Sequence, residues 1–211
     1  MILETFCFGP FQTNAILLGC SKTKRAALID PGVGSAALLL EALQKKDLFL
    51  EKILLTHSHW DHIAGVAQLK RETGAEVYVH SADAKNLESP GSDHIPLFVA
   101  IEPASADHLL HGGEILELGE LKIHVIHTPG HSPGGVCFYL PEQKVLFSGD
   151  TLFYGTIGNL SLPTGSAEEM WPSLQKLSAL PSDTRVIPGH GKETQIGRES
   201  WLADAKKIFT E

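Results

Sequence analysis

The stretch "LLTHSHWDHIAG", Leu54 to Gly65, sets the reading of the whole chain. An apolar run ends inside it, and His57, His59, Asp61 and His62 then fall within six consecutive positions. Histidine and aspartate are poor strand and helix formers, so packing does not account for the cluster. The residue types point to metal chemistry. Imidazole suits zinc, iron, nickel or copper, and a carboxylate adds a charged oxygen able to bridge two ions.

Four more stretches place polar residues where an apolar run ends, which is where loops leave a sheet. "IHTPGHSPGG" offers His131, "FSGDTLF" offers Asp150, "VIPGHG" offers His190 and "LIDPG" supplies Asp30. Gly130, Gly149 and Gly189 precede three of these side chains and permit tight turns that aim them at one point. The inventory is five imidazoles and two carboxylates, with Asp30 in reserve. One tetrahedral zinc cannot use so many ligands, whereas two ions sharing a carboxylate can.

The bulk composition is compatible with this. The 211 residues are 43% hydrophobic and 20% charged, enough for a substantial core, and are read as one domain over 1–211. The net charge of −8 argues against broad binding to nucleic acid, which needs a basic face. Cys7, Cys20 and Cys137 form no CxxC pair and no disulfide framework. They are expected to be buried small hydrophobes in a reducing, cytoplasmic setting. "MILETFCFGPFQTNAILLGC" has no basic start and carries Glu4 and Pro10, so it does not read as a signal peptide. No apolar run approaches the roughly 20 residues that a membrane helix needs, and a soluble protein without a membrane partner is expected.

Along the chain, "NAILLGC" and "RAALID" flank the turn-rich "SKTK" and predict a hairpin. Ser35 is placed to cap a helix through "AALLLEALQKK", "EKILLT" predicts a buried strand, and "IAGVAQLKRETG" has helical spacing ending at Gly74. "AEVYVH" predicts the next strand. Residues 81 to 112 carry Pro90, Gly91, Pro96 and Pro103, and are expected to cover a site rather than build the sheet. "EILEL", "LKIHVIHT", "GVCFYL" and "KVLFSGD" predict further strands, "SAEEMWPSLQKLSAL" a helix, "RVIPGH" a strand and "ESWLADAKKIFT" a last helix. The class is α/β, with two blocks of strands and helices outside.

"THSHWDH", "TPGHSPGG", "SGDTLF" and "PGHG" together resemble, in order and spacing, the successive motifs of the metallo-β-lactamase superfamily. The wording is most similar to that of the short glyoxalase II-like hydrolases. That resemblance implies an αββα sandwich, two mixed sheets face to face, with the site at the edge between them. It also implies the ligand split: His57, His59 and His131 for one ion, Asp61, His62 and His190 for the other, and Asp150 between them. True β-lactamases of this fold commonly have Cys where Asp150 stands and lack the second member of the Asp61–His62 pair. Both departures count against antibiotic hydrolysis. The superfamily's nucleases usually carry a large inserted domain or an RNA-binding arm, and neither is visible in the 39 residues between Asp150 and His190.

Two divalent ions, zinc foremost and iron or manganese next, suit hydrolysis of an acyl thioester such as S-lactoylglutathione. Water on such an ion can fall from a pKa near 15.7 to about 7, giving a nucleophilic hydroxide without a general base. Asp61 is the expected catalytic carboxylate, accepting a proton as the tetrahedral intermediate collapses, and a thiolate leaving group needs no acid. Asp30 either orients a ligand histidine or caps the "DPG" turn; the residues leave both open. Thr56, Ser58 and Ser132 are candidate hydrogen-bond partners of the ligands. His80, His94, His108, His111, His124 and His127 complete no ligand pattern and are read as ordinary scattered histidines.

The alternative within the resemblance is a persulfide dioxygenase, holding one iron through His57, His131 and Asp150. A non-catalytic metal-binding scaffold is a third reading, disfavoured by the full ligand set. The thiol carrier is where the sequence departs from its relatives. Glyoxalase II-like proteins usually carry Lys or Arg where "FYGTIGNLSLPTG" has Asn159, and Tyr or Asp where it has Ser161. The C-terminal helical domain of the longer members is not expected either. Losing a charge-assisted contact to a carboxylate costs about 1.5–3 kcal/mol, roughly 10- to 150-fold in affinity. Asn159 and Tyr154 are therefore expected substrate contacts, with weak saturation by glutathione thioesters. Lys192 and Arg198 are cations able to compensate.

Overall fold

A computed structural model describes residues 1–210. Strands β1 (Ile2–Phe8), β2 (Thr13–Gly19), β3 (Arg25–Ile29), β4 (Phe49–Leu54), β5 (Glu76–His80) and β6 (His108–Leu110) form one six-stranded sheet in sequence order. β1, β2 and β3 pair antiparallel, whereas β3 to β6 run parallel through helical crossovers and longer loops. A second sheet is built from β7 (Ile115–Leu118), β8 (Leu121–His127), β9 (Val136–Leu140) and β10 (Val145–Gly149). The short ribbon of β11 (Leu152–Phe153) and β12 (Thr156–Ile157) follows, then β13 (Arg185–Pro188) and β14 (Thr194–Gln195) complete the second sheet. Its order is β14-β13-β10-β9-β8-β7, with β13 parallel to β10 and the other pairs antiparallel.

Alternation along the strands divides the core into three layers. Ile16, Leu18, Ile29 and Leu54 of the first sheet meet Val125, Phe138, Leu140 and Phe147 of the second. The first sheet's outer face takes Leu39 and Leu43 of α1 (Ala36–Lys45) and Leu69 of α3 (Val66–Thr73), which follows the single turn of α2 (Trp60–Ile63). After the short α4 (Ala84–Glu88), α5 (Ala167–Ser178) lays Met170, Trp171, Leu174 and Leu177 on the second sheet's outer face, and α6 (Ala205–Thr210) packs beyond it. The architecture is the αββα sandwich. Among the described residues no helix is long and apolar enough to cross a membrane.

Several local expectations change. Ser35 stands at the start of α1 but adopts φ −78°, ψ −30°, and its hydroxyl caps nothing. It is buried without a hydrogen-bond partner, turned toward Gly65, which has no Cβ to block it. Ser166 caps instead, accepting from the Glu169 N–H at the start of α5. Residues 81 to 112 do contribute to the sheet, because Leu109 pairs with Val79 as part of β6, and they also hold α4. Cys20 and Cys137 are buried as expected, whereas Cys7 is exposed on the edge strand β1.

Candidate metal centre

Strand ends from both sheets deliver the site. Asp30 follows β3; His57 and His59 follow β4; Asp61 and His62 lie in α2, which starts where that loop ends. His131, Asp150 and His190 follow β8, β10 and β13 of the second sheet. The three glycines serve two different needs. Gly130 and Gly149 have φ of +144° and +49°, in the range that favours glycine. Gly189 needs no positive φ, but a Cβ there would lie 2.2 Å from Asp150 Oδ1.

The seven expected side chains converge. One nitrogen from each of His57, His59 and His131 lies within 4.8 Å of the others, as do ligand atoms of Asp61, His62 and His190. His59 Nδ1 faces His131 Nε2 at 2.9 Å, and His62 Nε2 faces His190 Nε2 at 3.1 Å. Asp150 lies between the two groups, with Oδ2 3.4 Å from His131 Nε2 and 3.4 Å from His190 Nε2. Asp61 Oδ2 is 3.3 Å from His190 Nε2 and accepts the Thr13 hydroxyl at 2.9 Å.

The outward nitrogen of every ring has its own oxygen. His57 Nδ1 meets Thr56 Oγ1 at 3.1 Å, and His59 Nε2 meets Thr164 Oγ1 at 3.0 Å. His62 Nδ1 meets Asp30 Oδ2, His131 Nδ1 the Asn159 carbonyl and His190 Nδ1 the Phe11 carbonyl, at 3.0, 3.0 and 2.9 Å. The Thr56 and Thr164 hydroxyls donate elsewhere, to Asp30 and to the His131 carbonyl, so they accept from the rings. On His57, His59 and His131 the outer nitrogens thus carry the protons and the inner ones present lone pairs. Lone pairs facing one another at 2.9 Å repel unless a cation stands among them. His57 Nε2 and Asp150 Oδ1 are buried without a hydrogen-bond partner, which the same cation would satisfy. These residues fit a pair of divalent ions.

The charge states agree. Burial, reinforced by His62 and the other neighbouring imidazoles, holds His57 well below the ordinary histidine range, and burial with His131 takes His59 to about 3. Both stay neutral, the state that binds metal. Burial alone would raise Asp61, but His62 and His190 hold it at about 2, and the same neighbours keep Asp150 ionised. Burial would lower His62 and His190, yet the carboxylates raise them to about 9 and about 11. Those two rings carry protons when no metal competes.

Of the two readings of Asp30, its contacts favour the one in which it orients a ring. Its carboxylate accepts the Thr56 N–H at 2.8 Å and the Thr56 hydroxyl at 2.6 Å besides meeting His62. Asp83 carried no signal in sequence. It is buried, and its carboxylate accepts the Ser58 N–H at 3.0 Å, the Ser132 hydroxyl at 3.0 Å and the Gly134 N–H at 2.7 Å. It thereby ties the His57–His59 loop to the His131 loop. Gly134 makes room for this carboxylate, since a Cβ there would lie 2.5 Å from Asp83. The remaining histidines are less scattered than expected, for the rings of His80 and His127 stack at 4.0 Å with His111 beside His80.

A cavity of 560 Å³ opens onto His59, Asp61, His131, Asp150 and His190. Asn159 lines it, but its carbonyl holds His131 and its side-chain oxygen accepts the Ser161 N–H at 2.8 Å. Tyr154 is not among the lining residues; its exposed ring lies under the Lys192 ammonium, 3.5 Å from the centroid.

Known proteins are similar to this chain over most of its length. The hydroxyacylglutathione hydrolase GloC of Haemophilus influenzae is 37% identical over 203 residues, which cover 94% of this chain and 95% of that protein. The crystal structure of BLEG-1, a B3 metallo-beta-lactamase, is 38% identical with a TM-score of 0.88 over the full length of both chains. That of TTHA1623 in a di-iron-bound form is 38% identical with a TM-score of 0.83, over 93% of this chain and 96% of the other. The profile of the metallo-beta-lactamase superfamily matches residues 8–190, from the end of β1 to the last histidine of the cluster, and the chain belongs to that superfamily.

Proposed function

We propose that this protein is a metal-dependent hydrolase of acyl thioesters, of the hydroxyacylglutathione hydrolase kind. The observation that carries this reading is Asp150 standing 3.4 Å from both His131 and His190, between two complete ligand groups. His57, His59 and His131 would hold one divalent ion, Asp61, His62 and His190 the second, with Asp150 shared. When bound, such ions supply a Lewis acid for a carbonyl oxygen and a nucleophile from water at neutral pH. On this reading Asp61, kept ionised and steadied by the Thr13 hydroxyl, would take up a proton at Oδ1 or Oδ2. A thiolate departs without an acid, and among the described residues lining the cavity there is none beyond the cluster itself. Relatedness to the GloC protein supports glutathione thioesters as one substrate, with Asn159 at the cavity wall and Tyr154 outside it.

A second reading is a persulfide dioxygenase with one iron on His57, His131 and Asp150; iron is present in the 38% identical TTHA1623 structure, there as a pair. Elemental analysis of the purified protein beside a thioester assay separates the two. Two ions per chain with thioester turnover support the hydrolase, whereas one iron with oxygen uptake supports the dioxygenase. Asp150→Ala should remove most metal and nearly all activity. The expectation against antibiotic hydrolysis now stands beside a 38% identical β-lactamase, so the assay includes a β-lactam.

A further inference from the structure

The cavity beside the metal cluster is walled by aromatic and aliphatic side chains. Trp60 lies buried at its base, and Phe11 and Phe98 stand around it with ring centroids 5.3 and 5.7 Å away. Phe11 and Phe98 meet edge to face at 6.1 Å, and Ile95, Pro96 and Leu162 extend the wall. Despite these contacts Phe98 is 69% exposed and Phe11 52%, so two large rings remain wet at the entrance. Phe98 comes from the irregular segment between α4 and β6, Phe11 from the turn between β1 and β2. An apolar group entering between them would remove both faces from water and stack against rings already held by Trp60. Among the described residues lining the cavity none is Lys or Arg. The Lys192 ammonium lies over the Tyr154 ring instead. The two carboxylates of a glutathione moiety meet no Lys or Arg side chain on this wall.

Resting on the thioester hydrolase reading, we propose that the preferred substrate carries an apolar, aromatic or branched group of benzyl size or larger into this cavity. The anionic glutathione peptide is not what the cavity recognises. The volume of 560 Å³ is ample for such a group and lies within the range of small-molecule sites.

The test measures binding apart from turnover. Three hydrolysis-inert thioethers are titrated into the metal-loaded protein by calorimetry: S-benzyl-N-acetylcysteamine, S-methyl-N-acetylcysteamine and S-methylglutathione. The benzyl compound is expected to bind at least tenfold more tightly than either methyl compound. Phe98→Ser, at a position too exposed to endanger folding, should cut that preference to about threefold or less, and Phe11→Ser should act in the same direction. Tightest binding by S-methylglutathione, equal affinities, no binding by any of the three, or an unchanged preference in Phe98→Ser overturns the proposal. Phenylacetyl and acetyl thioesters of N-acetylcysteamine are assayed in parallel for turnover. Should neither these nor S-lactoylglutathione be hydrolysed while the benzyl preference holds, the hydrolase reading falls and the cavity assignment stands. Should both be hydrolysed without any benzyl preference in binding, the cavity assignment falls and the hydrolase reading stands.

Discussion

Gly189 and Asp150 touch so closely that a single added methyl would break the site: a Cβ on Gly189 would sit 2.2 Å from Asp150 Oδ1. The φ of Gly189 is not positive, so alanine there meets a steric conflict and no backbone strain. Gly189→Ala should keep the fold and displace ligands of the cluster, since the added methyl meets the buried Asp150 Oδ1 and, at 2.8 Å, His62 Cε1. Displacing the carboxylate proposed as the shared ligand by about an ångström is expected to cost on the order of hundredfold in rate. Circular dichroism and metal content together check this. A variant with full metal and full activity would show that Asp150 need not hold its observed position.

Asp30 sets the orientation of His62 through a 3.0 Å contact while accepting two hydrogen bonds from Thr56. Asp30→Ala leaves a buried N–H and a ring nitrogen without partners. Metal affinity should fall roughly 10- to 100-fold, as for other residues that steady a metal-binding histidine. Competition with a chromophoric chelator measures it, and the melting temperature of the metal-free variant should drop as well.

Metal uptake should release protons and strengthen with pH. The folded-state pKa values of His62 and His190 are raised, to about 9 and about 11, so both rings are protonated at neutral pH in the metal-free protein. Binding by Asp61, His62 and His190 requires both rings neutral, hence roughly two protons leave per chain. His57 and His59, held neutral by burial, add none. Affinity for this ion should therefore rise with pH between about 6 and 8. Calorimetry in two buffers of different ionisation enthalpy counts the protons; a count near zero would contradict the protonated pair.

The cysteines should be dispensable for catalysis. Burial pushes the Cys137 thiol up to about 11, and its sulfur faces Thr128 at 3.3 Å, away from the cavity lining. Cys20 is buried among the sheet residues and Cys7 is exposed on β1. Cys7→Ala, Cys20→Ala and Cys137→Ala should each keep kcat within about threefold, because no thiolate acts as nucleophile. Mass spectrometry of the protein with substrate should detect no acyl adduct.

The ligand inventory and the two blocks of strands are legible in the residues alone. His57, His59, Asp61, His62, His131, Asp150 and His190 stand out because metal chemistry needs rare residue types, and each group follows a strand that periodicity reveals. What supports those ligands emerges only once the chain is folded. Asp83 reaches Gly134 across 51 positions, and the Asn159 carbonyl reaches His131 across 28. Aspartates and backbone carbonyls occur in every loop, so nothing local distinguishes the ones that hold a ring in place. The pairing of β6, the uncapped Ser35 and the stacking of His80 on His127 were hidden for the same reason. Each depends on which surfaces the two sheets bring together, and contacts between chain segments far apart in sequence leave no periodic trace in either one.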